Sequence, residues 1–307
     1  MPGMFCRHNR LTAKCPICSR ELAAQLPTPP PRSRPRAGGA KSGAARSRPA
    51  RAGSQRTGGG LVTRRLARAA DDGYRNPLVP GLRATADAER LAAALAAAAA
   101  RLEPPGPYPE VAAEPDLEEA TWLAFLLALA GPDAPELQAA LLADRPRWAA
   151  REDPELPEER GRTATAYRAW ARRAGSQAAA LTGEPGWSAE RRFGRAFERL
   201  ALPGFRRAAR FELLAALGAA GRYALAADAV HFVEDDATTL AAKRLLVTGD
   251  RLLLERRAQA LAEACAVPLA ALDRALAQWG TPGAPGAPLS GAAGDAPAAI
   301  RAALSLR

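Results

Sequence analysis

Cys6, His8, Cys15 and Cys18 place three thiols and one imidazole within thirteen residues of a 307-residue chain. The pattern is Cys-x-His, a gap of six residues, then Cys-Pro-Ile-Cys. Zinc takes four tetrahedral ligands from Cys sulfur and His nitrogen, and a Cys-x-x-Cys pair brings two thiolates to one ion from a tight turn. The chain has only four cysteines and two histidines, and this cluster uses three of the first and one of the second. With all four positions filled by protein the site is structural and closed. A redox dithiol is the competing reading, but it needs a surrounding βα pattern that this segment lacks. A disulfide framework does not fit so uneven a cysteine distribution.

A head of this size has almost no core, so its fold is expected only with the metal bound. Arg7, Arg10, Lys14 and Arg20 decorate it, with Asn9 and Thr12 able to hydrogen-bond phosphate or base edges. It is similar in kind to a zinc knuckle that grips nucleic acid. A protein-docking knob is the alternative.

Charge separates the chain into an arm and a body. Residues 1–70 hold fifteen Lys and Arg against one acid, Glu21, for a net +14, while residues 71–307 carry a net −3. A basic arm on a near-neutral body points to a polyanion such as nucleic acid, ahead of a merely solvated tail. No apolar leader follows Met1, and the longest apolar runs, 91–100 and 122–130, fall short of the roughly 18–20 residues of a membrane span. The expectation is a cytoplasmic protein with no membrane partner, nucleoid association being open to it.

Four regions follow: a zinc module over 1–24, a linker over 25–62, a helical domain over 63–280 and a loose tail over 281–307. The linker is rich in Pro, Gly, Ala and Arg and nearly free of large apolar residues. It cannot bury enough surface to offset the entropy of ordering, so disorder is expected. From about Leu61 onward alanine abounds, aromatics are 5% of the chain, and the apolar spacing is helical. The fold class is therefore all-α, with helices expected over 87–102, 118–130, 136–150, 163–181, from Ser188 to Leu200, around 211–217, over 238–246 and 251–265, and to Trp279. Residues 104–115, with five prolines, should be irregular, and 223–233 reads as either helix or strand. Gly249 is expected to close one helix in a left-handed conformation and Asp250 to cap the next.

Two patches of the body could meet phosphate. One comprises Arg191, Arg192, Arg195 and Arg199, then Arg206, Arg207 and Arg210, with Glu190, Glu198 and Glu212 interleaved; a solvated, salt-bridged face is its plainer reading. The other is the turn Val247-Thr248-Gly249-Asp250 between two helices, which resembles a helix-hairpin-helix offering backbone N–H groups to a phosphate. A simple αα-hairpin accounts for the same pattern.

Three stretches carry a family resemblance. Phe5–Glu21, Arg210-Phe-Glu-Leu-Leu-Ala-Ala-Leu-Gly218, and Ala241-Ala-Lys-Arg244 through Gly249-Asp250 to Glu255-Arg-Arg-Ala258 resemble the third clade of the alpha-glutamyl/putrescinyl thymine pyrophosphorylase family. The likeness spans 5–21 and, more loosely, 74–279, leaving the linker outside. It implies an all-helical body similar to helix-hairpin-helix DNA glycosylases. It also implies DNA thymine hypermodification, in which an amine replaces pyrophosphate on the 5-hydroxymethyl group of a thymine-derived base. No catalytic residues come with it, nor does the identity of the amine donor.

Such chemistry has evident needs. Pyrophosphate leaves as a multiply charged anion, which calls for cations: Lys243, Arg244 and Arg210. The attacking ammonium must lose a proton to a carboxylate: Asp250 or Asp228. The target base must leave its stack, with Tyr223, His231 or a tryptophan to receive it. His231 beside Phe232 also reads as an ordinary half-buried histidine, and Cys265 as core. A non-catalytic nucleic-acid-binding adaptor and a base-excising glycosylase use the same parts.

The head yields the first prediction. Metal analysis of the purified chain should find one zinc per molecule, lost in Cys15→Ser. Zinc-free protein whose first two dozen residues give the same hydrogen exchange with and without chelator would remove the metal from the account.

Overall fold

The computed structural model describes residues 69–150, 156–234, 236–280 and 296–306. The zinc ligands, the linker and most of the expected tail lie outside those residues. Among the described residues the fold is all-α, without strands. The helices, in chain order, are α1 (Thr85–Arg101), α2 (Pro109–Ala113), α3 (Leu117–Ala130), α4 (Pro135–Ala143), α5 (Glu158–Arg173), α6 (Gln177–Thr182), α7 (Ala189–Arg199), α8 (Arg207–Ala219), α9 (Ala237–Leu246), α10 (Arg251–Ala264), α11 (Leu269–Gly280) and α12 (Ala298–Ala303).

Two apolar cores organise them. The first surrounds α3, which is buried from Glu119 to Ala130. A helix apolar all round must lie inside, and this one does. Its Trp122 and Phe125 stack with Tyr167 of α5, the Phe125 and Tyr167 centroids 3.9 Å apart, and Phe205 meets Phe125 edge-on. Asp116 starts the helix by accepting from the backbone N–H groups of Glu118 at 2.8 Å and Glu119 at 3.0 Å. The second core gathers Leu91 and Leu95 of α1, Leu245 and Leu246 of α9, Leu254 and Leu261 of α10, and Leu272 and Leu276 of α11. Cys265 is buried there as expected, and burial pushes its thiol up to about 11.

Several boundaries depart from the sequence expectation. The helix expected over 136–150 ends at Ala143, since Pro146 lacks the N–H that a continuing helix needs. Trp148 instead sits beyond it and tilts against Trp122 at 5.5 Å. The stretch 163–181 is two helices, broken where Gly175 adopts φ +92° and Ser176 caps α6. Ala174, at the end of the first of them, is exposed. The Pro-rich segment 104–115 contains α2, with Pro109 at a helix start where its missing N–H costs nothing. The tail is not loose at its end: α12 buries Ile300, and Leu304 follows it into the second core.

Residues 223–233 form neither helix nor strand. Two of their donors go to one side chain, as Glu255 of α10 accepts from the N–H groups of Val230 at 2.9 Å and Phe232 at 2.8 Å. A carboxylate supplies the partners that a ladder would otherwise give. The segment runs from Tyr223 in the first core to Val230 and Phe232 in the second.

Arg207, expected on a solvated face, is buried between the cores with a side chain only 2% exposed. Its Nε donates to Asp236 at 2.9 Å, one terminal nitrogen to the Val230 carbonyl at 2.9 Å, and the other to the Thr238 hydroxyl at 3.0 Å. Asp273 of α11 lies 2.8 Å from the same guanidinium. Burial opposes the Arg207 charge, but Asp273 and Asp236 outweigh it and raise its pKa. Asp273 fares differently, since burial pushes its carboxyl up to about 6 against the pull of Arg207. Two carboxylates share one cation, so the more deeply placed acid is the less stabilised as an anion.

This arrangement predicts two unequal mutants. Arg207→Met strands both acids and should cost about 3–5 kcal/mol in denaturant unfolding. Asp273 binds its proton more tightly in the folded chain than at its ordinary 3.8. Its contribution is therefore fully present below pH 3.8 and lost as pH rises through about 6. Asp273→Asn should flatten that decline in a pH series of unfolding curves and be tolerated far better than Arg207→Met. Equal losses for the two variants would refute this division of roles.

Candidate functional site

Of the five residues singled out for chemistry, two meet in one cluster. Arg210 of α8 lays its guanidinium over the Phe197 ring at 4.4 Å and donates to the Phe197 carbonyl at 3.2 Å. The imidazole of His231 is nearly parallel to Phe197 at 4.2 Å, and to Phe193 at 6.2 Å. His231 Nε2 lies 2.8 Å from Asp228 Oδ1. Cation, ring, imidazole and carboxylate thus form one connected group at the body's surface, with His231 and Asp228 side chains 16% and 35% exposed.

Each member is positioned for a physical reason. Ser188 accepts from the Arg191 N–H at 3.2 Å and starts α7, which then spaces Phe193 and Phe197 one turn apart on its buried side. Gly194 lies between them, and a Cβ there would stand 2.6 Å from Asp228 Oδ2, so the glycine makes room for the carboxylate. The Glu255 contacts fix the backbone on both sides of His231. His231 itself sits at φ +58°. Non-glycine residues hold such a conformation only when their surroundings impose it. Burial, and then the neighbouring Arg207, lower the pKa of Arg210, whose Nε is buried without a hydrogen-bond partner.

Lys243, Arg244 and Asp250 lie elsewhere, on the α9–α10 hairpin. No hydrogen bond, ion pair or ring contact joins them to Arg210 or Asp228 among the described residues. Asp250 caps α10 by accepting from the Leu253 N–H at 2.8 Å. That places a carboxylate where a phosphate would have to bind. Gly249 is not left-handed; Val247 is, at φ 50° and ψ 51°. The last carbonyls of α9 are also occupied, by the Gly81 N–H to Leu245 at 2.8 Å and by Arg257 to Leu246. Gly81 is obligatory there, because an added Cβ would come within 1.9 Å of the Arg244 carbonyl oxygen. Val247 and Leu252, 59% and 76% exposed, give the hairpin tip an apolar surface. The turn is an αα-hairpin built around its own cap.

The other aromatic candidates divide. Tyr223 is in the core with its hydroxyl 2.7 Å from Thr121, and burial pushes it up to about 12. It is not placed to receive a base. His231 is the one with a partly open ring beside a carboxylate. Of the interleaved acids, Glu198 pairs with Arg195 at 3.1 Å, whereas Glu212 is bound at 2.6 Å to Arg101 of α1 and at 2.8 Å to the Tyr108 hydroxyl. Glu255 and the buried role of Arg207 were not legible as site features. A lone acid preceding Arg-Arg on a helix carries no sign of a distant loop that it holds.

No family model, no curated protein and no solved structure matches this chain.

The cap assignment is open to a direct check. Asp250→Ala should lower stability by about 1 kcal/mol, and Asp250→Asn should restore most of it, as expected of an N-cap. Thermal unfolding of the two variants measures this. Full stability in Asp250→Ala would show that the carboxylate is free for another task.

Proposed function

We propose that this chain binds nucleic acid, DNA foremost, and does so through its arginine-rich N-terminal arm. The observation that carries this reading is the charge division: +14 over residues 1–70 against −3 over the remainder. Arginine forks suit phosphate, and release of counterions from the polyanion drives such binding. The donor set of Cys6, His8, Cys15 and Cys18, three thiolates and one imidazole, suits zinc. Zinc held there supplies folding to the head rather than catalysis.

A catalytic reading is favoured by one further observation, the meeting of Arg210 and Asp228 at Phe197 and His231. In the thymine-modifying chemistry implied by the family resemblance, the amine nitrogen bonds to the 5-methylene carbon while the carbon–oxygen bond to pyrophosphate breaks. The electron pair of that bond leaves with pyrophosphate, and the ammonium proton must go to a base. Asp228 and His231 together form an acid–base pair for that proton, and Arg210 offers a cation to the departing anion. Lys243, Arg244 and Asp250 have no place in this cluster. The Asp250 carboxylate, which already takes the Leu253 N–H, argues against a phosphate contact at that turn.

Two measurements separate these readings. The affinity for duplex DNA should fall steeply with salt, since residues 1–62 hold twelve Lys and Arg, and their deletion should remove most of the slope. A truncated chain with the full slope would place the contact on the body instead. Nucleoside mass spectrometry of host DNA with and without the gene, and with His231→Ala, tests catalysis. A modified thymidine absent from all samples would leave only the binding role.

A further inference from the structure

Leu240, Val247, Leu252 and Leu253 are four of the five large apolar side chains left exposed among the described residues, and all belong to the α9–α10 hairpin. Such clustering is not the scatter of single apolar residues that any surface shows. Leu240, Arg244 and Val247 recur at spacings of four and three, so they share one face of α9 and extend about 10 Å along it. Leu252 and Arg256, four apart, share a face of α10. Arg244, Arg251 and Arg256 are exposed, and no acid pairs with any of them among the described residues. The hairpin's own acids are engaged: Asp250 caps α10, and Glu255 holds Val230 and Phe232.

Val247 adds a second, independent observation. It ends α9 in the left-handed region, where helices favour glycine because a β-branched residue is strained there. Its side chain is mostly exposed, so packing within the body does not offset that strain. Leu252, still more exposed, likewise gains little from the body. The base beneath is firm. Leu245, Leu246 and Leu254 are buried in the second core, and the Gly81 N–H holds the Leu245 carbonyl. A rigid mount that presents strained and solvated apolar side chains has the character of a docking surface.

We propose that this hairpin docks an acidic amphipathic helix of a partner protein, whose apolar stripe covers Leu240, Val247 and Leu252 and whose carboxylates meet Arg244, Arg251 and Arg256. Charge and layout select this occupant. The chain's own basic arm is repelled, and residues 281–295 offer only one acid, Asp295, and one large apolar residue, Leu289. A second copy meeting hairpin to hairpin would set arginine against arginine. Nucleic acid satisfies the guanidiniums but leaves four aliphatic side chains in water. A bilayer meeting the end of the hairpin takes Val247 and Leu252 but not Leu240, farther along α9. A helix of about two turns covers that length. Its apolar anchors supply the contact, and the charged pairs set its orientation. Together with the nucleic-acid reading of the arm, this makes the chain a two-ended adaptor.

A photoreactive phenylalanine analogue in place of Leu252, carried by the full chain in its host cells, tests this. The expected adduct joins another polypeptide through a segment with acids and apolar residues at helical spacing, identified by mass spectrometry. Arg244→Glu with Arg256→Glu, both surface changes, should lower its yield on the order of tenfold or more, the worth of a charge-assisted hydrogen bond. The thermal midpoint and the salt-dependent affinity for duplex DNA, which belongs to the arm, should stay as they were. Val247→Asn, which suits the left-handed region, should keep or raise the midpoint while weakening the adduct; a lowered midpoint shows that the body itself uses the valine and overturns the proposal. So does an adduct with nucleic acid, lipid or a second copy, with a polypeptide segment lacking acids, or with a yield indifferent to the arginine changes, and so does no adduct at all. Loss of DNA affinity in the arginine variant reassigns the hairpin to nucleic acid. Unaltered DNA affinity leaves the arm's role standing whatever the adduct shows.

Discussion

Burial of the Arg207 guanidinium is the constraint on which the body's arrangement turns. A charge removed from water is tolerable only with partners on every side. Here four residues from three places in the chain supply them: Val230 on the irregular segment, Asp236 and Thr238 at the start of α9, and Asp273 on α11. Arg207 opens α8, which belongs to the core around α3, whereas Val230 and the helices carrying Thr238 and Asp273 contribute to the other core. The ion cluster therefore fixes how the two apolar halves meet, which apolar packing by itself, being non-directional, would not. One turn and more along α8, Glu212 repeats the device in reverse, with an acid between Arg101 and Tyr108. Arg274 adds a third link, reaching Asp133 at 2.7 Å.

Carboxylates also do work that regular structure does elsewhere. Glu118 accepts from the N–H groups of Gln177 at 3.0 Å and Ala178 at 2.8 Å, so an acid on α3 caps the start of α6. Its neighbour Glu119 accepts from Trp148 at 3.1 Å and holds the segment after α4. Glu255 does the same for Val230 and Phe232. Each case ties a helix start or an irregular stretch to another helix by accepting from backbone N–H groups that regular structure leaves over. The consequence for function is the Glu255 clamp, because the backbone it grips carries His231 and follows Asp228. The left-handed conformation of His231 is maintained by those contacts and by stacking on Phe197, and it holds the imidazole against Asp228.

The arginines fall into distinct physical classes that composition does not separate. Arg207 is a structural cation. Arg168 is also buried, lying over the Trp122 and Trp148 rings at 4.3 and 5.0 Å. Arg210 is half-buried on Phe197, while Arg173, Arg191, Arg195 and Arg199 face solvent. The last group is not alone in facing solvent: Arg206, Arg244, Arg251 and Arg256 are exposed as well. At the α9–α10 hairpin Asp250 is engaged as a cap, and the exposed side chains are both apolar, Val247 and Leu252, and basic, Arg244, Arg251 and Arg256.

The sequence by itself determined the helical class, the buried α3, the caps at Ser188 and Asp250, and the apolar spacing of Phe193, Phe197, Phe211, Leu214 and Leu217. Those features depend on periodicity and on side chains that bond within a few residues, so neighbours in the chain suffice to specify them. The same local reasoning misjudged the length of α4, the break at Gly175 and the packed end at Ile300, where a proline, a left-handed glycine or a distant core decides. Tertiary structure alone decided that Arg207 is buried while Arg199 is open, that Glu255 holds a loop 23–25 residues before it, and that Asp228 and Arg210 are linked through His231 and Phe197 while Lys243, Arg244 and Asp250 lie apart. The reason is that an ionic side chain's role is set by the charges and solvent that surround it after folding, and those come from parts of the chain with no sequence relation to it.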